Sequence, residues 1–165
     1  MNELPKRKQI RLKEYDYTQN GYYFITVCTH NRQNLFGEIV GATLRGRPNN
    51  PDKMIEKWLL KLENKFDDVK ICEYIIMPDH LHFIISKTGD HTGSPLRDIV
   101  GWFKTMTTNE YIANVKNNIF PQFDKKIWQR NCYEHIIRDE NDYITKTEYI
   151  LNNPLKWELE HIYEE

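Results

Sequence analysis

Three features of the chain predict an α+β fold. Strand-like stretches and helical ones follow the order β(β)αββαβα, two neighbouring strands are separated by only a Pro-Asp turn, and the helical stretches carry apolar stripes at helical spacing. A β-α-β-β-α-β core forms a four-stranded antiparallel sheet with two helices on one face, the ferredoxin-like or RRM-like arrangement. The opposite face is left open to form a site, and one more helix ends the chain.

The first strand is Gly21-Tyr-Tyr-Phe-Ile-Thr-Val-Cys-Thr29, rich in β-branched and aromatic residues. A turn over residues 31–34 leads to a short strand at Leu35–Val40. Residues 41–52 hold two Gly, two Pro and two Asn and read as a loop. Asp52 is a candidate cap for the next helix, in which Met54, Ile55, Trp58, Leu59, Leu62 and Phe66 share one face. Val69–Met77 is a strand, Pro78-Asp79 a turn, and His80–Ser86 its antiparallel partner. Ser94-Pro95 opens a long helix, proline suiting the first helical position. Its buried stripe is Leu96, Ile99, Val100, Phe103, Met106 and Thr107. A fourth core strand spans about Cys132–Ile137. The last helix starts near Asp139–Asp142 and runs through Ile144, Thr147, Tyr149, Ile150 and Leu151 toward Asn153-Pro154.

At 165 residues the chain is read as one domain, 1–165, with a basic N-terminal arm over 1–17. No apolar run approaches the ~20 residues that span a bilayer, and the first residues lack a signal-type apolar segment. Cys28, Cys72 and Cys132 are odd in number and lie in strand-like stretches, so they read as reduced residues in a cytoplasmic, nucleoid-associated protein. Net charge is −1, and no global positive field announces nucleic acid. The distribution is less even. Lys6, Arg7, Lys8, Arg11 and Lys13 face Glu3 alone in the first thirteen residues, Arg45 and Arg47 form a second basic point, and Lys125, Lys126 and Arg130 a third. Three converging points can track a phosphate backbone; separately, each is an ordinary solvated face.

His80 and His82 carry the chemistry. Strand side chains alternate, so both imidazoles project from one face while Leu81 and Phe83 anchor the other under the helices. Two neutral imidazoles at that spacing can bind one divalent ion. Nucleotidyl hydrolases with a His-φ-His-φ-His pattern share this spacing, but the third position here is Ile84, so such an enzyme would lack its nucleophile. In the last helix Tyr149 and Asn153 share a face beside any such site. From spacing alone, filling the helix–sheet interface explains Tyr149 better than attack on phosphorus does. Tyr133 and Tyr143 are rival nucleophiles: Tyr133 falls in a strand where burial is expected, and Tyr143 has Thr147 rather than Asn four residues on.

Met77-Pro-Asp-His-Leu-His-Phe83 resembles the His-hydrophobe-His segment of the single-tyrosine transposases of the IS200/IS605 type, and most of all their relatives associated with repetitive extragenic palindromes (REP). Trp128-Gln-Arg-Asn-Cys-Tyr-Glu-His-Ile-Ile-Arg-Asp139, Glu148-Tyr-Ile-Leu-Asn-Asn-Pro154 and Tyr22-Tyr-Phe-Ile-Thr-Val27 are similar to further blocks of that group. The resemblance implies cleavage and rejoining of single-stranded DNA through a 5′-phosphotyrosine, with a divalent metal (Mg2+ or Mn2+). It carries the nucleophile onto Tyr149 and a third ligand onto Asn153, beside His80 and His82. His135 matches a position of the Trp-Gln block, with a supporting or substrate-contacting role. One departure is Cys132, where relatives usually carry an aromatic residue.

The expected partner is single-stranded DNA bearing a hairpin, with the enzyme a monomer or homodimer. The N-terminal arm, Arg45, Arg47, Lys125, Lys126 and Arg130 are the candidate DNA contacts, and Tyr15, Tyr17 and Trp102 candidate base-stacking rings. Two alternatives stay open: a domesticated binder of structured DNA or RNA that does not cut, and a relaxase- or initiator-like nickase, which the small size disfavours.

Overall fold

The structure is a computed structural model, and it describes residues 15–40, 43–46, 49–89 and 93–161. Strand β1 is Gly21–Cys28, β2 Gly37–Val40, β3 Thr43–Gly46, β4 Val69–Ile76, β5 His80–Lys87 and β6 Tyr133–Ile137. Helix α1 is Pro51–Leu60, α2 Leu62–Lys65, α3 Leu96–Lys116 and α4 Glu140–His161. The main sheet has the order β4-β5-β1-β6, antiparallel throughout. This is the predicted ferredoxin-like order, in which the first core strand lies between the third and the fourth.

Strand alternation divides the sheet into two faces. Tyr23, Ile25 and Val27 of β1 and Leu81, Phe83 and Ile85 of β5 are buried beneath α1 and α3, which contribute Ile55, Leu59, Ile99, Val100 and Phe103. Burying each such side chain stabilises the fold by roughly 1.5–3 kcal/mol, which fixes the register of β5. A one-residue slip would send His80 and His82 into this core. On the other face Phe24, Ile84 and Ile137 form a smaller cluster with Ile150 of α4.

Four details differ from the sequence reading. The stretch 41–52 is not all loop, because Thr43–Gly46 pairs with Gly37–Val40 as a separate two-stranded ribbon. Asp52 is not the cap of α1: Asn50, with φ 58°, holds that position, Pro51 begins the helix and Asp52 lies in its first turn. Pro95 stands just before α3 rather than in it. Most important, α4 does not stop at Pro154 but continues to His161 with the proline in its interior. That helix lies on the sheet face expected to be open, so the site is a cleft between sheet and helix.

Candidate active site

The two histidines sit where the register of β1 and β5 puts them. His82 is opposite Thr26 and His80 opposite Cys28, both on the α4 side. Their Nε2 atoms are 3.1 Å apart. His80 Nδ1 is 2.6 Å from Asp79 Oδ1, and His82 Nδ1 is 2.7 Å from Thr26 Oγ1. A neutral imidazole carries one proton. In the tautomer in which Nδ1–H donates to Asp79 in one ring and to Thr26 in the other, both Nε2 lone pairs face the same space. Two lone pairs that close repel unless a proton or a cation lies between them.

Burial disfavours the proton. It pushes the pKa of His82 down to about 3, and the neighbouring His80, Arg32, Lys146 and Lys156 act in the same direction. His82 is therefore a neutral donor at physiological pH. The linkage follows directly: the unfolded chain takes up this proton near pH 6.5 and the folded one only near 3, so stability is complete above 6.5 and falls as pH drops toward 3. Metal-free protein is expected to lose roughly 1.4 kcal/mol per pH unit through this residue. Urea melts at pH 6.5 and 5 should show that loss, and His82→Gln should shrink it.

The remaining lining comes from α4 and from a turn after β1. Asn153 is buried, and its Nδ2 donates to His82 Nε2 at 3.3 Å. Tyr149, one turn earlier, has its ring centroid 5.2 Å from that of His82 and 5.9 Å from that of Phe24, and is 40% exposed. Trp157, one turn later, lies 5.8 Å from His80. Arg32 is held at φ 54°, a left-handed backbone unusual for a side-chain-bearing residue. There its Nε bonds Asp79 Oδ2 at 2.7 Å and an Nη–H donates to Cys28 Sγ at 2.8 Å. The cleft encloses about 800 Å³ and is lined by His80, His82, Tyr149, Asn153, Arg32, Lys146 and Lys156 among others.

The other sequence candidates separate clearly. Tyr143 packs edge-on against Tyr22 at 5.2 Å, outside the cleft. Tyr133, expected to be buried, is 47% exposed and lines the cleft, because residues of β6 opposite Thr26 share its face. Ile84, the departure from a third histidine, is buried in the small cluster that holds Ile150 of α4. His135 faces the same side of the sheet but does not line the cleft; its Nε2 is 2.8 Å from Asp142 Oδ2, tying β6 to the first turn of α4. Burial raises the Asp142 pKa, yet hydrogen bonds from His135 and the Arg138 backbone outweigh it and hold the carboxyl below its usual range.

Of the basic candidates, Arg45, Lys125, Lys126 and Arg130 are exposed and none lines the cleft. Lys6, Arg7, Lys8, Arg11 and Arg47 lie outside the described residues. Tyr15, Tyr17 and Trp102 are not free stacking rings, because each is packed on the main core. Sequence reasoning missed Thr26, Arg32, Asp79, Lys146, Lys156 and Trp157. For the last two a signal existed: positions 149, 153 and 157 continue one helical face past the proline.

A family model described as "Transposase IS200 like" matches residues 17–153, which carry the histidines, Tyr149 and Asn153. The chain belongs to this transposase family. An uncharacterised protein of Haemophilus influenzae is 36% identical over 95% of this chain and 93% of its own. A second protein of that organism, provisionally named a REP-associated tyrosine transposase, is 27% identical over 86% of this chain and 74% of its own. Among solved structures, a REP-associated tyrosine transposase bound to a REP hairpin superposes with a TM-score of 0.64 at 22% identity, covering 89% of this chain and 73% of that one. A provisionally named transposase from Deinococcus radiodurans R1 gives 0.53 at 15%, covering 86% and 97%. These two establish a shared fold. The transposase has no helix among the described residues long and apolar enough to cross a membrane.

Proposed function

We propose that this transposase cleaves and rejoins single-stranded DNA beside a hairpin, with Tyr149 as nucleophile and a divalent cation held by His80, His82 and Asn153. The observation that carries this reading is the approach of the two Nε2 atoms to 3.1 Å next to the Tyr149 ring. Donors on adjacent vertices of an octahedral ion at about 2.1 Å lie about 3.0 Å apart, so the spacing fits Mg2+ or Mn2+. The third protein donor in this reading is the buried amide of Asn153, whose Nδ2 lies 3.3 Å from His82 Nε2. Turning that amide over replaces Nδ2 with Oδ1, a change ordinary amide assignment permits.

The chain's own groups then divide the work. Asp79 and Thr26 hold the imidazoles in the tautomer that frees both Nε2 atoms, and Arg32 holds Asp79 in turn. The Tyr149 oxygen attacks the phosphorus, a P–O(Tyr) bond forms and the P–O3′ bond breaks. The phenolic proton is lost and the departing 3′ oxygen gains one, leaving a 5′-phosphotyrosine and a free 3′ hydroxyl. Rejoining reverses these steps with the 3′ hydroxyl of another end, and one phosphoester replaces another without an outside energy source. A bound divalent ion supplies charge neutralisation at a non-bridging oxygen.

The metal requirement is tested with hairpin-bearing single-stranded oligonucleotides in excess chelator. Adduct should be absent there and return with Mg2+ or Mn2+; adduct formed equally well in chelator would sink the metal role. Asp79→Asn removes the carboxylate behind His80, and the metal concentration for half-maximal adduct should rise roughly 10–100-fold.

A further inference from the structure

One exposed ring in the cleft takes no part in the chemistry assigned to Tyr149. Tyr133 opens β6, an edge strand, and lies opposite Thr26 on the cleft side. Nearly half its surface is exposed, so core packing accounts for little of it. The ring stands edge-on to Phe24 at 6.4 Å, and Phe24 in turn stacks on His82 at 5.4 Å. The aromatic surface is thus continuous from Tyr133 to the histidines. Lys146, one turn before Tyr149 on α4, places its Nζ 5.1 Å from the Phe24 ring and lines the same cleft. The two acidic side chains of the lining are engaged elsewhere: Asp79 with Arg32, Glu160 with Lys156 at 3.8 Å.

We infer that Tyr133 and Lys146 form a nucleotide subsite beside Tyr149, the ring stacking on one unpaired base and the ammonium contacting the adjoining phosphate. An exposed aromatic platform next to a cation is the pairing that binds single strands, because every base has a π face and every link a charge. A base-paired nucleotide cannot present that face, so the subsite selects unpaired DNA. This rests on single-stranded DNA as substrate, as proposed above, but not on the identity of the nucleophile.

The probe is a single-stranded oligothymidylate in which 5-iodouracil replaces thymine, used with the full chain. Irradiation should cross-link the iodouracil to Tyr133, read by peptide mass spectrometry. Tyr133→Ser should weaken binding roughly 5- to 150-fold while Tyr133→Phe, which keeps the ring, should not. Lys146→Gln should reduce the slope of log affinity against log salt by about 0.7, one phosphate contact on a single strand. Circular dichroism and thermal melts check that each variant is folded. The inference is overturned if folded Tyr133→Ser binds within about twofold of the parent and cross-links map elsewhere. An unchanged salt slope in Lys146→Gln would remove the phosphate half. None of the three readouts needs cleavage, so absence of a Tyr149 adduct would count against the proposed chemistry and leave this subsite standing or falling on its own data.

Discussion

Tyr149→Phe is expected to abolish the covalent protein–DNA adduct, lowering its rate by about 10³-fold or more, while leaving the fold and DNA affinity intact. The lost atom is the attacking oxygen, so the chemical step has no substitute within the side chain. What remains is the ring, which makes the contacts with His82 and Phe24. The residue is 40% exposed, and an exposed change that keeps its packing typically alters stability by no more than ~0.5 kcal/mol. Adduct on denaturing gels, beside hairpin affinity by equilibrium binding, separates these effects. Loss of both together would mean that Tyr149 serves binding or folding rather than attack.

His80→Ala and His82→Ala form the second large-effect pair. Each removes one of two convergent nitrogens, so metal affinity should fall roughly 100-fold or more and adduct formation with it. The two variants should differ in a way set by their neighbours. His80→Ala leaves Asp79 with its Arg32 ion pair, whereas His82→Ala leaves Thr26 without its ring partner and removes the surface on which Phe24 and Tyr149 pack. His82→Ala should therefore lose more stability, measured by urea unfolding. Raised Mn2+ should restore part of the activity of His80→Ala. Full activity of either variant at low metal would contradict the ligand assignment.

How much of this could be read from the sequence depended on the range of the interaction. His80 and His82 were legible because period-two alternation is local, and Leu81 and Phe83 fix which face goes inward. The ferredoxin-like order was legible from the succession of apolar periods. The ribbon at Thr43–Gly46 was not: it pairs only with β2 and is mostly exposed, so no buried alternation marks it among its glycines and prolines. The end of α4 was hidden by Pro154, which ordinarily terminates a helix by removing a donor and crowding the preceding turn. Here the proline is buried and the helix passes through it, bringing Lys156 and Trp157 to the cleft. Thr26, Asp79 and Arg32 depend on strand register and on a left-handed turn, neither of which a linear pattern displays. The exposure of Tyr133 also depends on tertiary structure: it opens the edge strand β6 at the cleft, whereas Ile137 at the other end of the same face is buried with Ile150 of α4.

The proposed reaction depends on attack of Tyr149 on DNA phosphorus. The direct measurement is to trap adduct between the parent protein and a hairpin-bearing single-stranded oligonucleotide in Mn2+, digest it with trypsin and nuclease, and sequence the modified peptide. The expected product is a nucleotide joined through its 5′ phosphate to the tyrosine of the peptide Thr147–Lys156. A modification on Tyr133 or Tyr143 instead, or adduct that persists in Tyr149→Phe, would contradict it.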